Sequence, residues 1–158
     1  MQEDFQKLIK SDRYQVFLLS CPPSLPLSFV RHPWFVISKR GVVSRYGVTA
    51  NPGMYGMEGG HLRVNGLPPW RGLRILRSMR NWGYIWPVTL HGVLEGREDS
   101  LAARMVECIE NSPHNYPYCG HYSYIGPNSN TYVQWVLDAF PESGLKLPWN
   151  AFGKGFKR

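Results

Sequence analysis

Two runs rich in β-branched and aromatic residues, Ser28 to Ser38 (SFVRHPWFVIS) and Val42 to Thr49 (VVSRYGVT), stand either side of Lys39-Arg40-Gly41. A short glycine-containing connection between such runs is a hairpin signal, so residues 29 to 49 are expected to form a β-hairpin. A lone hairpin is barely stable in water, and further strands must complete an antiparallel sheet. Tyr14 to Ser20 (YQVFLLS) reads as a buried strand that stops at the proline-rich turn Cys21 to Pro26, while His61 to Asn65 and Val88 to Leu94 read as two more strands. Pro33 cannot donate to a ladder and points to an edge or a bulge in the first hairpin strand.

Helical spacing covers much of the rest. Phe5, Leu8 and Ile9 share one stripe of residues 4 to 10. After Pro68-Pro69, which suit a helix start, Arg71, Arg74, Arg77 and Arg80 sweep one half of a wheel, and Leu73, Ile75, Leu76 and Met79 the other. Asp99 to Glu110 turns Leu101, Met105, Cys108 and Ile109 inward, and Asn128 or Ser129 can N-cap a helix over Thr131 to Phe140. Neither an internal repeat nor a linker long enough to separate domains is present. With 158 residues, 43% apolar and 18% charged, the chain can bury one core and is far from a disordered composition. The expectation is one α+β domain over 1–158: a small, mainly antiparallel sheet with packed helices, a short helix within 1–13 and an irregular tail over 145–158.

Eighteen Lys and Arg against eleven Asp and Glu leave +7, which suits an anionic partner such as a nucleic acid, a cell-wall polymer or an anionic lipid. The arginines at 71, 74, 77 and 80 are a candidate anion face, and equally a solvated helix surface. Trp70, Trp82, Tyr84 and Trp86 could stack on bases or sugars, but no nucleic-acid fold motif accompanies them, so nucleic acid is disfavoured. The apolar runs stop well short of the roughly 20 residues of a transmembrane span. Residues 1–13 lack the apolar core and cleavage site of a signal peptide, making the cytoplasm the default expectation. Cys21, Cys108 and Cys119 are odd in number without C-x-x-C spacing, and the five histidines form no ligand motif. Reduced thiols and no metal or other cofactor are expected. The loop Gly53 to Gly60 lacks a phosphate-cradling pattern and reads as a lid or a turn.

Gly126 to Leu137 (GPNSNTYVQWVL) packs amides and hydroxyls onto the entrance of an apolar helix. One reading is structural: Asn128 or Ser129 caps the helix, and Asn130 and Thr131 satisfy the preceding loop. The other is chemical, because a helix N-terminus stabilises an oxyanion and lowers a nucleophile's pKa. Cys119, with His121 two residues on and His114 five before, is a second candidate nucleophile, although nothing local lowers its pKa.

Gly126-Pro127-Asn128-Ser129-Asn130-Thr131-Tyr132-Val133, followed by Leu147-Pro148-Trp149-Asn150-Ala151-Phe152-Gly153-Lys154, resembles the signature of a mainly bacterial family known only as a domain of unknown function. His32-Pro33-Trp34-Phe35, Asn81-Trp82-Gly83 and Tyr116-Pro117-Tyr118 extend that resemblance from about residue 14 to the end. The order of a strand histidine before a helix-terminal Asn-Cys also resembles circularly permuted papain-like proteins of the NlpC/P60 and lecithin–retinol acyltransferase kind. That second resemblance implies His32 as general base and Ser129 as nucleophile, or Thr131 in a register shifted by two. It also implies Asn128, Asn130 and helix N–H groups as oxyanion donors. The cysteine of those families is a serine here, and the hairpin's second strand offers Ser44 and Tyr46 but no acid as an orienting group. The expected activity is a hydrolase or acyltransferase of amide or ester bonds in a small-molecule, peptide or lipid-type substrate. The rival expectation is a catalytically silent module that holds an anionic or carbohydrate ligand in the same cleft or on the arginine face.

Overall fold

The computed structural model describes residues 4–23, 27–50, 60–75 and 84–157. Five strands, β1 (Tyr14–Cys21), β2 (His32–Lys39), β3 (Val42–Val48), β4 (Leu62–Val64) and β5 (Thr89–Gly96), form one antiparallel sheet in the order β4-β3-β2-β1-β5. Two helices follow, α1 (Leu101–Asn115) and α2 (Ser129–Ala139), with single 3-10 turns at Phe5–Leu8 and Pro141–Ser143. The α+β expectation holds. The hairpin closes on two residues, Arg40 and Gly41, both at positive φ (52° and 89°), the conformation whose twist matches the flanking strands.

Val16 and Leu18 of β1, Phe35 and Ile37 of β2, and Tyr46 and Val48 of β3 pack against Met105, Val106 and Ile109 of α1 and Tyr132, Val133 and Val136 of α2. The alternate residues, Phe17, Leu19, Cys21, Trp34 and Val36, pack beneath Phe5, Trp70, Leu73 and Trp86, a layer without α-helix among the described residues. Three indoles of that second layer are pinned, Trp34 Nε1 donating to the Pro69 carbonyl, Trp86 Nε1 to that of Pro23 and Trp70 Nε1 to Gln6 Oε1. Because both faces are covered, β1 and β2 read as unbroken apolar runs.

Three local expectations need correction. Pro33 is not on an edge strand, since β2 lies between β1 and β3; however, β3 pairs only with Phe35–Lys39, so the proline sits where β2 is paired on one side alone. The helix expected from residue 71 is absent over 71–75: Arg74 bridges Ile85, Ile75 N–H donates to the Tyr84 carbonyl, and Trp86 N–H to that of Leu73. Those backbone groups are thus spent on a distant segment, which brings Leu73 under the sheet beside Cys21. Arg77, Arg80 and Trp82, like residues 51–59 of the glycine-rich loop, lie outside the described residues.

Finally, α1 runs five residues past its expected end, through Pro113. A proline leaves the carbonyl four residues earlier without its N–H. Here that carbonyl, of Ile109, accepts from Ser112 Oγ at 2.7 Å, and the same hydroxyl lies 2.8 Å from the Tyr132 hydroxyl on α2. The tail over 145–157 has turns but no helix or strand, as expected.

Candidate functional site

At the start of α2 the amides and hydroxyls are occupied in structure. Asn128 Oδ1 accepts from the N–H groups of Asn130 (2.9 Å) and Thr131 (3.2 Å), while Thr131 Oγ1 accepts from Asn128 N–H at 3.0 Å, closing a reciprocal capping box. Asn128 Nδ2 donates to the carbonyls of Tyr124 and Phe152, Asn130 Nδ2 to those of Arg31 and Phe152, and Thr131 Oγ1 to Gly153 at 2.8 Å. The motif therefore stitches the helix to the tail and to the residue preceding β2. Thr131 has both hydroxyl roles filled. Ser129 is buried and its hydroxyl has no partner among the described residues, and the buried Asn130 Oδ1 likewise has none.

His32 faces away from them. The unbroken register Tyr14↔Lys39 to Cys21↔His32 places His32 on the face of Trp34 and Val36, whereas α2 packs on the face of Phe35 and Ile37. The imidazole thus faces the side of the sheet away from α2, while the carbonyl of its neighbour Arg31 meets Asn130 Nδ2. What His32 does line is a cavity of about 30 Å³ with Arg45, Gly47 and Thr49 from β3 and its end, Arg63 from β4, and the Gly66-Leu67 turn.

Two buried arginines line it, Arg45 at 5% and Arg63 at 3% exposure, and the Arg45 guanidinium carbon lies 4.0 Å from the centre of the Trp34 ring. A guanidinium has five N–H donors in a planar fork. Both Nη1 donors are used, on the carbonyls of Pro68 (3.0 Å) and Arg71 (2.5 Å). Nε and Nη2 meet no acceptor among the described residues, and no described carboxylate pairs with the group. Burial lowers its pKa to about 10, which still leaves it charged at neutral pH. Gly47 lets β3 lie close to Trp34, since a Cβ there would lie 3.0 Å from Trp34 Cβ. Burial, and then the Arg45 charge, push His32 down to about 3, so its imidazole is neutral. The cavity thus offers a fixed cationic fork beside a neutral ring. Hairpin parity was the available signal: Arg45 shares the face of Gly47 and Thr49 and lies opposite Val36, Trp34's neighbour on that face.

The remaining candidates fall in separate places. Cys119 Sγ donates to the Pro113 carbonyl, and burial raises its pKa, so no thiolate is favoured. His114 and His121 are exposed, and His61 Nδ1 lies 2.8 Å from the Thr49 carbonyl. An unexpected pair, Ser20 Oγ and His91 Nε2 at 2.7 Å, sits on a hydroxyl with no solvent exposure. Among the described residues no three His, Cys, Asp or Glu side chains gather to hold a metal ion, and no helix is long and apolar enough to cross a membrane.

Residues 24–156 match the sequence model of a family described as "Protein of unknown function (DUF3750)". No curated protein and no solved structure matches the chain, and the papain-like resemblance is not confirmed.

Proposed function

The chain belongs to the DUF3750 family, and from its geometry we propose that it is a binding module that takes the carboxylate or phosphate end of an anionic ligand on Arg45. The observation that supports this reading is a buried arginine that lines a cavity and whose Nε and Nη2 meet no acceptor among the described residues. A cation removed from water is costly unless a partner meets it, and stacking on Trp34 meets only its face. A carboxylate or a phosphate presents two oxygens at the spacing of that edge. The volume of about 30 Å³ admits a terminal group and leaves the body of the ligand outside. His32 can add a neutral N–H donor. Hydrolysis by Ser129 would need a base on the helix side of the sheet, which His32 does not supply.

Titration calorimetry with acetate, inorganic phosphate and a dicarboxylate tests it, comparing wild type with Arg45→Lys and Arg45→Met. A lysine keeps the charge but loses the fork, so binding is expected to weaken roughly tenfold in Arg45→Lys and to vanish in Arg45→Met. Equal affinities in all three proteins, each still folded by circular dichroism, would overturn the proposal.

A further inference from the structure

The two ends of the sheet differ in charge and in apolar exposure. All nine acids of the described residues, at 4, 12, 95, 98, 99, 107, 110, 138 and 142, lie outside 27–50, 60–75, 111–137 and 143–157. At the end where β1 starts and β5 stops, cations are matched: Lys10 with Glu95, Arg40 with Glu98, and Lys39 with Glu110. At the opposite end Arg31, Lys154 and Lys157 have no carboxylate partner among the described residues.

That same end exposes its largest apolar side chains. Ile125 is 86% and Trp149 82% exposed, and Phe29, Tyr124 and Phe152 are exposed as well. They form one patch. The Phe29 and Phe152 rings meet edge to face at 6.4 Å, Asn150 Nδ2 donates to the Phe29 carbonyl at 2.7 Å, and Asn128 Nδ2 bonds the carbonyls of both Tyr124 and Phe152. The side chains stand on separate turns, at 28–29, 124–125, 149–150 and 152–155, so they project as tips. Clustered exposed apolar side chains mark an interaction surface.

We propose that this end docks on an anionic lipid bilayer, with Phe29, Ile125, Trp149 and Phe152 entering the boundary between headgroups and acyl chains and Arg31, Lys154 and Lys157 meeting lipid phosphates. Projecting tips suit a medium that deforms around them, and aromatic rings with a polar edge favour that boundary. An aliphatic residue at the most exposed tip serves insertion into hydrocarbon, whereas base stacking calls for rings. The described stretches that carry the patch, 27–50, 111–137 and 143–157, hold no acid that would repel a negatively charged leaflet. This proposal is independent of the Arg45 cavity.

Flotation with vesicles of phosphatidylcholine alone, and of phosphatidylcholine with about 30 mol% phosphatidylserine, is the test. Three cations near the surface predict roughly a hundredfold preference for the anionic vesicles, lost between about 0.1 M and 0.5 M salt. Ile125→Asp and Trp149→Asp are each expected to lower the partition coefficient at least tenfold. Both side chains point to solvent, so the far-UV spectrum and melting temperature should stay at wild-type values. No partition into anionic vesicles, equal partition into neutral ones, or wild-type partition of Ile125→Asp would each overturn the proposal. Retention on a single-stranded oligonucleotide that Ile125→Asp abolishes, without vesicle binding, would replace it with a nucleic-acid surface.

Discussion

A histidine kept neutral next to a buried arginine ties this fold to the proton. His32 has its pKa pushed from an ordinary 6.5 to about 3 by burial and Arg45. Between those values the unfolded chain binds a proton that the folded chain refuses, so stability rises with pH across the window and is lost as pH falls through it. The slope contributed approaches one proton, about 1.4 kcal/mol per pH unit, and urea melts at pH 4 to 7 should show it flattened in His32→Gln. Backbone crowding makes a second prediction. A Cβ on Gly72 would overlap the Trp86 carbonyl oxygen, so Gly72→Ala is expected to cost about 2 kcal/mol or more in thermal unfolding. Ser129 gives a third: with the imidazole of His32 facing away from α2, fluorophosphonate treatment followed by mass spectrometry should leave its hydroxyl unlabelled. Arg45 itself was hard to read from the chain, because on a hairpin strand an arginine looks like a solvent-facing residue. Its burial comes from Trp34 beneath it and the Pro68 and Arg71 carbonyls beside it, none of them close in sequence.

At the level of elements, local codes were legible where the chain makes its own partners. The Arg40-Gly41 turn and the capping box of Asn128 and Thr131 each rest on residues within three positions of one another. Over residues 71–75 the arginine sweep misled because periodicity cannot report that residues 73–75 bond residues 84–86 instead of themselves. The length of α1 was hidden for the opposite reason, since a proline normally closes a helix and only the Ser112 hydroxyl makes Pro113 tolerable. Ser112→Ala should therefore leave both the Ile109 carbonyl and the buried Tyr132 hydroxyl unsatisfied and cost about 1–3 kcal/mol, read as a lower midpoint in denaturant. Asn128→Ala removes a cap and two donors together. About 2–4 kcal/mol is expected from the same melt, with Asn128→Asp intermediate because it keeps the cap oxygen but faces the Tyr124 and Phe152 carbonyls with a carboxylate.

For the whole molecule, the pattern of burial sets where the structure opens. β1 and β2 each have a neighbour on both sides and a layer over both faces, whereas β4 is three residues long at the sheet's edge. Native-state hydrogen exchange should find the slowest amides in β1 and β2 and early loss in β4. The single α+β sheet was foreseeable from apolar runs and turn residues, but the second covering layer of Trp70, Leu73 and Trp86 was not, because irregular segments carry no period. The tail that crosses the start of α2 has a consequence for order in time. Asn130 and Thr131 find their Phe152 and Gly153 acceptors 22 residues downstream, and Asn128 finds Phe152 at 24. During folding the local capping box can close before these longer-range bonds, so α2 first exists with its cap tied only locally. A chain truncated before residue 150 should be open to proteases at the start of α2, which the longer chain seals.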